Sequence, residues 1–229
     1  MIWNPTYFLF ALPALLLALY AQWKVRSTYN HYLRVPNSAG MTGLEAARRL
    51  QRTTGLSLKL EGTRGVLSDH YDPRTKVLRL SQGVADSASV GAVAIVAHEM
   101  GHAVQDAQAY ALLRLRSGLV PVVNFTSYLG PILFMLGWVL GYPSLATVGV
   151  FLFGGAVVFA LLTLPVELDA SRRAIRLLQD AGIVTDRKAV QGARKVLSAA
   201  ALTYVAALAQ ALSTMLYYLT LLGGQRRRR

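Results

Sequence analysis

Two histidines and a glutamate inside an apolar segment are the strongest chemical signal in the sequence. Residues 93–105, VAIVAHEMGHAVQ, contain H-E-x-x-H as His98, Glu99 and His102. Side chains four residues apart share one helix face, so both histidines can bind one metal ion. Glu99 lies about 100° further round the helix, where a base for a metal-activated water belongs. The pattern predicts hydrolysis with one zinc ion (Zn2+) per chain. A pair of satisfied core histidines is the alternative, but it leaves Glu99 unexplained.

A catalytic zinc site needs a third protein ligand, and the sequence offers few candidates. The chain has no cysteine. The compact extension H-E-x-x-H-x-x-G-x-x-H fails, because Gln105 and Gln108 stand where it needs glycine and histidine. A distant residue must therefore supply the ligand: His31, His70 or a carboxylate.

Glu167 is the carboxylate that we predict as this ligand. It lies at the end of an apolar run, where an unpaired charge is costly and is usually functional. Ala170 and Ala174 follow on its helix face, and Gly101 offers a matching small position, so that two helices could approach closely. The alternative is an ordinary charge at a helix N-terminus just past Pro165.

The composition predicts a membrane protein. Hydrophobic residues make up 54% of the chain and charged residues 15%, whereas about a quarter of a soluble domain is charged. Four apolar runs are long enough to cross a bilayer, or nearly so. They are residues 7–22, 119–140, 144–164 and 197–222. The second and third run form a predicted transmembrane hairpin, and Pro165 is expected to break or kink the helix that follows.

The segment between the first and second apolar run contains both predicted helices and predicted strands, and it includes the H-E-x-x-H motif. A capping box at Thr42 and Glu45 begins a helix. A strand at 56–60 and a hairpin around the turn at 72–75 follow, and then one helix from Ser87 to about Arg116. The predicted fold is a mainly α membrane protein of about four transmembrane helices. A small β-hairpin or sheet of about three strands lies over a zincin-like H-E-x-x-H helix.

The same runs set the predicted organisation of the chain. It consists of an N-terminal transmembrane segment (1–22), a cytoplasmic catalytic part with the H-E-x-x-H helix (23–118), a transmembrane hairpin (119–164), a cytoplasmic helix with the third ligand (165–195), and a C-terminal transmembrane helix with a basic tail (196–229).

The net charge of +13 indicates a membrane surface and excludes a nucleic-acid partner. Lysine and arginine are confined to residues 24–116, 172–195 and 226–229, so they flank the apolar runs, and no aromatic-interleaved basic groove is visible. The positive-inside tendency therefore predicts an N-terminus outside and a cytoplasmic active site. Four complete spans would place the tail Arg226–Arg229 outside, against the same tendency.

Three segments resemble the YugP-like membrane zinc metallopeptidases of bacteria. They are VAHEMGHAVQ, PVELDASRRA and DHYDPRTKVLRLS. The resemblance covers nearly the whole chain and implies a neutral, gluzincin-like zinc peptidase of the bacterial cell membrane, with Glu167 as the distal ligand. A looser similarity links the chain to the HtpX and CAAX-type proteases, in which an aspartate stands at the position of Ser171. Asp106, Asp169 and Ser171 are our candidates for orienting the ligands.

The hairpin offers a place for substrate. Its second strand could be an exposed edge to which a peptide backbone adds. The residues concerned are Val77, Leu78, Arg79 and Leu80. His70 or Tyr71, near the turn, could then polarise the attacked carbonyl. Both could equally be ordinary surface residues of a hairpin.

The predicted function is an endopeptidase that acts on membrane or membrane-near proteins, with a protein or peptide substrate and the lipid bilayer as its partners. Two alternatives remain at this point. One is a non-catalytic membrane scaffold with structural zinc, and the other is a zinc hydrolase of a non-peptide substrate.

Overall fold

The computed structural model describes residues 5–226, with side chains from residue 7 to residue 224. The prediction for the side of the membrane on which the basic tail Arg226–Arg229 lies concerns residues beyond the described side chains. The helices are α1 (Pro5–Tyr32), α2 (Gly43–Thr54), α3 (Gln82–Ala85), α4 (Val90–Ala107), α5 (Ala111–Val139), α6 (Pro143–Asp180) and α7 (Arg187–Arg226), and the strands are β1 (Lys59–Thr63), β2 (His70–Asp72) and β3 (Val77–Ser81). The predicted mainly helical fold with a small sheet is confirmed.

Within the described residues, four helices are long and apolar enough to cross a membrane: α1, α5, α6 and α7. Large apolar side chains on them are widely exposed, including Leu16 at 57%, Phe125 at 66% and Phe151 at 80%. Apolar patches of this extent are not left facing water in a soluble monomer. The structure therefore agrees with the prediction of about four membrane-spanning helices.

The chain divides into two compact units. The first comprises Met1–Ala21, Arg114–Pro165 and Thr203–Arg229, and the second comprises Gln22–Leu113 and Val166–Leu202. In the first unit α5 and α6 form the expected hairpin, which turns at Gly141 with a φ of 72°. A side chain at Gly137 would lie 2.2 Å from the backbone nitrogen of Ala146, so glycine permits the two helices to pack closely. Phe134 and Tyr218 stack beside them, with ring centroids 4.0 Å apart.

Helix α4 lies in the core of the second unit. The core contains Val93, Val96 and Met100 of α4, all fully buried, together with Leu50 of α2 and Leu78 of β3. The capping box of α2 is present as predicted. The Glu45 carboxylate accepts a hydrogen bond from the Thr42 N–H, and the Thr42 hydroxyl accepts one from the Glu45 N–H. The apolar helix that bears the zinc motif is thus enclosed by its own unit.

Two local predictions were wrong. The helix expected over residues 87–116 is interrupted, because α4 ends at Ala107, Ala109 takes a φ of 57° and α5 begins at Ala111. The strand expected at 56–60 is shifted to Lys59–Thr63. Of the break or kink predicted at Pro165, the break does not occur, since α6 continues through Pro165 to Asp180. Long helices near a membrane tolerate proline when neighbouring groups satisfy the freed carbonyl.

The predicted substrate edge was also wrong. The strand order is β1-β3-β2, so β3 lies in the middle of the sheet. It pairs in parallel with β1 and antiparallel with β2. Its residues Val77, Leu78, Arg79 and Leu80 therefore have no free backbone edge, and three of them are buried. The order of the strands in the sequence does not reveal this arrangement. The hairpin is formed by β2 and β3, and β1, which precedes it, pairs in parallel with its second strand, β3.

Candidate metal centre

His98, His102 and Glu167 converge inside the second unit. One nitrogen from each histidine and one oxygen of the glutamate all lie within 4.8 Å of one another. The Glu167 Oε2 atom is 3.2 Å from Nε2 of His98 and 3.3 Å from Nε2 of His102. The Glu167 carboxylate is almost completely buried, with 2% of its surface exposed.

The geometry and the donor set fit zinc. Ligand atoms around one tetrahedral zinc lie roughly 3.4 Å apart, given bonds of about 2.0–2.1 Å. Both nitrogen–oxygen distances are close to that value. Two imidazoles and one carboxylate also leave a fourth position open, as catalytic zinc sites require. These three residues could therefore hold one ion.

A very close contact of α4 with α6 brings Glu167 to the histidines. A Cβ atom at Gly101 would lie 2.7 Å from the carbonyl oxygen of Ala170. Ala170 and Ala174 are themselves fully buried. The small residues singled out from the sequence thus do lie where the two helices meet.

Gln105 holds His102 in one tautomer. Its Nε2 atom donates to the carbonyl of Val166 and to the Asp169 carboxylate, both at 2.9 Å. Neither partner carries a hydrogen, so the Oε1 atom of Gln105 must face His102, where it lies 3.0 Å from Nδ1. Nδ1 of His102 therefore carries a proton, and Nε2 is the nitrogen that can bind a metal.

The network continues to the surface through Asp169. Its Oδ2 atom forms an ion pair with Nε of Arg173 at 2.5 Å. Asp169, a candidate for orienting the ligands, thus contacts Gln105 and also pairs with an arginine. On the other histidine, the Ser171 hydroxyl lies 3.3 Å from Nδ1 of His98. Ser171 thus occupies the position from which a hydrogen-bond acceptor would orient His98.

Glu99 lies beside the metal ligands and is held by the sheet. Its Oε2 atom accepts a hydrogen bond of 2.9 Å from the backbone N–H of Tyr71 in β2. The Tyr71 hydroxyl donates to Asp106, which also pairs with Lys76. Burial, and then the hydrogen bond to Asp106, raise the pKa of the Tyr71 phenol, so it remains a donor at neutral pH. Strand β2 is therefore fixed against α4 at both Glu99 and Asp106.

The electrostatic surroundings of His102 favour the charged ring in the metal-free protein. Burial by itself lowers the pKa of His102. The hydrogen bond to Glu167 and the negative charges of Glu99 and Glu167 outweigh burial and raise the pKa above the ordinary value. A metal ion bound at this position would replace that proton as the counter-charge of the two carboxylates.

Some predicted residues lie elsewhere. His70 is exposed, and its ring nitrogens contact the Ser68 carbonyl and Arg79, not Glu99 or the ligands. Asp106, expected to orient His102, binds Tyr71 and Lys76 instead. His31 is also exposed and lies at the end of α1.

The residue missed by the sequence reasoning is Gln105. It was used only to exclude the compact motif, yet it orients His102. Its position three residues after His102, on nearly the same helix face, was the available signal.

Two histidines from an H-E-x-x-H helix, a distant glutamate and four membrane-spanning helices together define the class of membrane zinc metallopeptidases. The chain belongs to the family described as "Putative neutral zinc metallopeptidase", whose model matches residues 7–223. It is also similar to "Putative membrane protease YugP" of Bacillus subtilis (strain 168), with 46% identity over 195 residues, which cover 85% of this chain and 86% of the relative. The resemblance found in the sequence is thereby confirmed. No solved structure was found to match the chain.

Proposed function

We propose that this chain is a zinc-dependent endopeptidase that hydrolyses peptide bonds of membrane or membrane-near proteins. The observation that carries the proposal is the convergence of His98, His102 and Glu167 with Glu99 beside them. His98 and His102 would bind zinc through Nε2, and Glu167 through its carboxylate. When bound, zinc would supply a Lewis acid that polarises a carbonyl and acidifies a water.

Glu99 is the proposed general base. Its carboxylate is next to the ligands in sequence and is oriented by the Tyr71 N–H. A carboxylate held in this way can take a proton from the attacking water and pass it to the leaving amine. Gln105 and Ser171 hold the two imidazoles, so that the ligand nitrogens stay directed at one point.

Strand β2 is the proposed place for the substrate backbone. It is an edge strand of the sheet, and its Tyr71 N–H turns away from β3 toward Glu99. An extended peptide added along this edge would have its carbonyl carbon near both Glu99 and the metal ligands. The proposed location of the centre is the cytoplasmic side of the membrane, because the segments that carry it hold 20 of the 24 basic residues.

The substitution Glu99→Gln tests the proposal. It should leave about one zinc per chain and lower hydrolysis of a casein-like or membrane substrate by roughly two to four orders of magnitude. Glu61→Gln is the matched control, because Glu61 is an acid of β1 that pairs with Arg79 and Lys59. Retained hydrolysis in Glu99→Gln, or zinc content unchanged by His98→Ala, would refute the assigned roles.

A second experiment addresses the substrate. Membrane proteins that accumulate in bacteria producing only the Glu99→Gln variant, compared with bacteria producing Glu61→Gln, are the candidates. If the variant hydrolyses no protein while the wild type hydrolyses only small non-peptide compounds, the endopeptidase assignment is wrong.

A further inference from the structure

A groove with three arginines lies between α6 and α7 in the second unit. Its volume is about 470 Å³. The charged part is formed by Arg172 and Arg176 of α6 and by Arg194 of α7. Apolar side chains, among them Ile175 and Leu197, line the remainder. The groove therefore offers positive charge and an apolar surface side by side.

The three arginines are available to a ligand. All three are exposed. Among the described residues, their side chains make no hydrogen bond or ion pair, although Arg172 is close enough to Asp169 to lower the pKa of its carboxyl; the neighbouring Arg173 is fully engaged with Asp169 and Gln108. Arg172 and Arg176 are four residues apart and so share one helix face. Guanidinium groups arranged in this way bind phosphate oxygens in pairs of hydrogen bonds.

Arg194 and Arg172 lie within reach of lipid headgroups along their helices, and Arg176 lies further out, about 18 Å beyond Leu164. The headgroup layer extends about 5–8 Å beyond the hydrocarbon on each side of a bilayer. Arg194 precedes the apolar run of α7 by three residues, or about 5 Å of helix. Arg172 follows the apolar run that ends at Leu164 by about 12 Å. Its side chain leans toward the N-terminus of α6, and hence back toward that run.

From this combination we propose that the groove binds the phosphate of an anionic phospholipid, with the apolar lining against its glycerol and upper acyl region. A free phosphate ion would use the arginines but not Ile175 and Leu197, and for that reason the lipid is the favoured source. The groove also adjoins the metal centre, because Ser171 lines it and contacts His98. Lipid binding is nevertheless independent of the proposed peptidase activity.

The test uses the full chain in a neutral detergent and a fluorescent short-chain phosphatidylglycerol, with binding followed by anisotropy. The triple variant Arg172→Gln, Arg176→Gln, Arg194→Gln should bind this lipid roughly ten- to hundredfold more weakly, since each arginine near a lipid surface contributes about one kcal/mol. The single variant Arg194→Gln should show a smaller loss in the same direction.

The matched control removes the same charge elsewhere. Arg52, Arg64 and Arg74 are exposed arginines outside the groove, and their triple change to glutamine should leave the affinity within about twofold. An equal loss of affinity in both triple variants would show that net charge alone causes the effect, and it would overturn the proposal. Displacement of the probe by phosphatidylcholine, or by inorganic phosphate as effectively as by unlabelled phosphatidylglycerol, would overturn the assignment of an anionic lipid.

Discussion

The buried amide of Gln105 joins His102 to the backbone and a carboxylate of α6. Each of its hydrogen-bonding atoms has a partner whose role is fixed by chemistry, and this determines which nitrogen of His102 carries the proton. Partners of this kind set the orientation and basicity of a metal-binding imidazole. At the scale of single residues, the protonation of the candidate ligand His102 is therefore set by a side chain outside the triad of candidate ligands.

Replacing Gln105 by leucine should lower zinc affinity by roughly 10- to 100-fold, because His102 loses the acceptor for its Nδ1 proton. Zinc titration with a competing chelator measures the effect. Gln108→Leu is the control, since Gln108 is exposed and its side chain bonds only to Arg173 among the described residues. Equal zinc affinity in the two variants would show that Gln105 does not position His102.

At the scale of elements, the crossing of α4 and α6 determines whether Glu167, the candidate third ligand, lies close to the two histidines. The helices touch where Gly101 faces the carbonyl of Ala170, three residues after Glu167. Gly101→Ala should force them apart and cost about 1–3 kcal/mol of stability, as overpacking in a tight contact does. Zinc affinity should fall with it, because Glu167 moves with α6.

The control for this change is Gly118→Ala. Gly118 is also helical, and a Cβ atom there meets nothing within 4 Å. That variant should keep both stability and zinc content. Full zinc binding in Gly101→Ala, measured by metal analysis of the purified chain, would contradict the role given to this contact.

Strand β2 is the other element that touches the centre, through a backbone group. Tyr71→Pro removes the N–H that Glu99 accepts, whereas Tyr71→Ala keeps it. Proline is tolerated where a strand's N–H points away from the sheet. Hydrolysis should therefore fall further in Tyr71→Pro than in Tyr71→Ala, at equal zinc content. Identical rates of hydrolysis in the two variants would show that the Tyr71 N–H has no part in the reaction.

Patterns local to one helix were sufficient to single out the three residues that converge in the structure. The four-residue spacing of His98 and His102, and the isolated charge of Glu167 at the end of an apolar run, depend on one helix each. The position of β3 could not be predicted, because β1 pairs directly with β3 although β2 lies between them in the sequence. The end of α4 could not be predicted either, because the segment Gln108–Tyr110 contains neither glycine nor proline. Ala109 takes the left-handed conformation there, and an alanine gives no sign of this in the sequence.

At the scale of the whole molecule, metal binding and folding should be coupled. The ligands come from α4 and α6, about 65 residues apart, so the unfolded chain holds no such site. Zinc at a hundred times its dissociation constant would stabilise the folded state by about 2.7 kcal/mol. A chelator should lower the apparent melting temperature of the wild type and leave that of His98→Ala unchanged. The same shift in both would show that the metal acts elsewhere.

The order of the ligands along the chain also has a consequence for synthesis on the ribosome. When His98 and His102 have been made, the hairpin of α5 and α6 is still missing, and a nascent chain can offer a metal only two imidazoles. The site can close only after α5 and the first part of α6 have been translated and Glu167 has reached Gly101 and its neighbours. The candidate metal site of a nascent chain is therefore incomplete until its own membrane hairpin has been made.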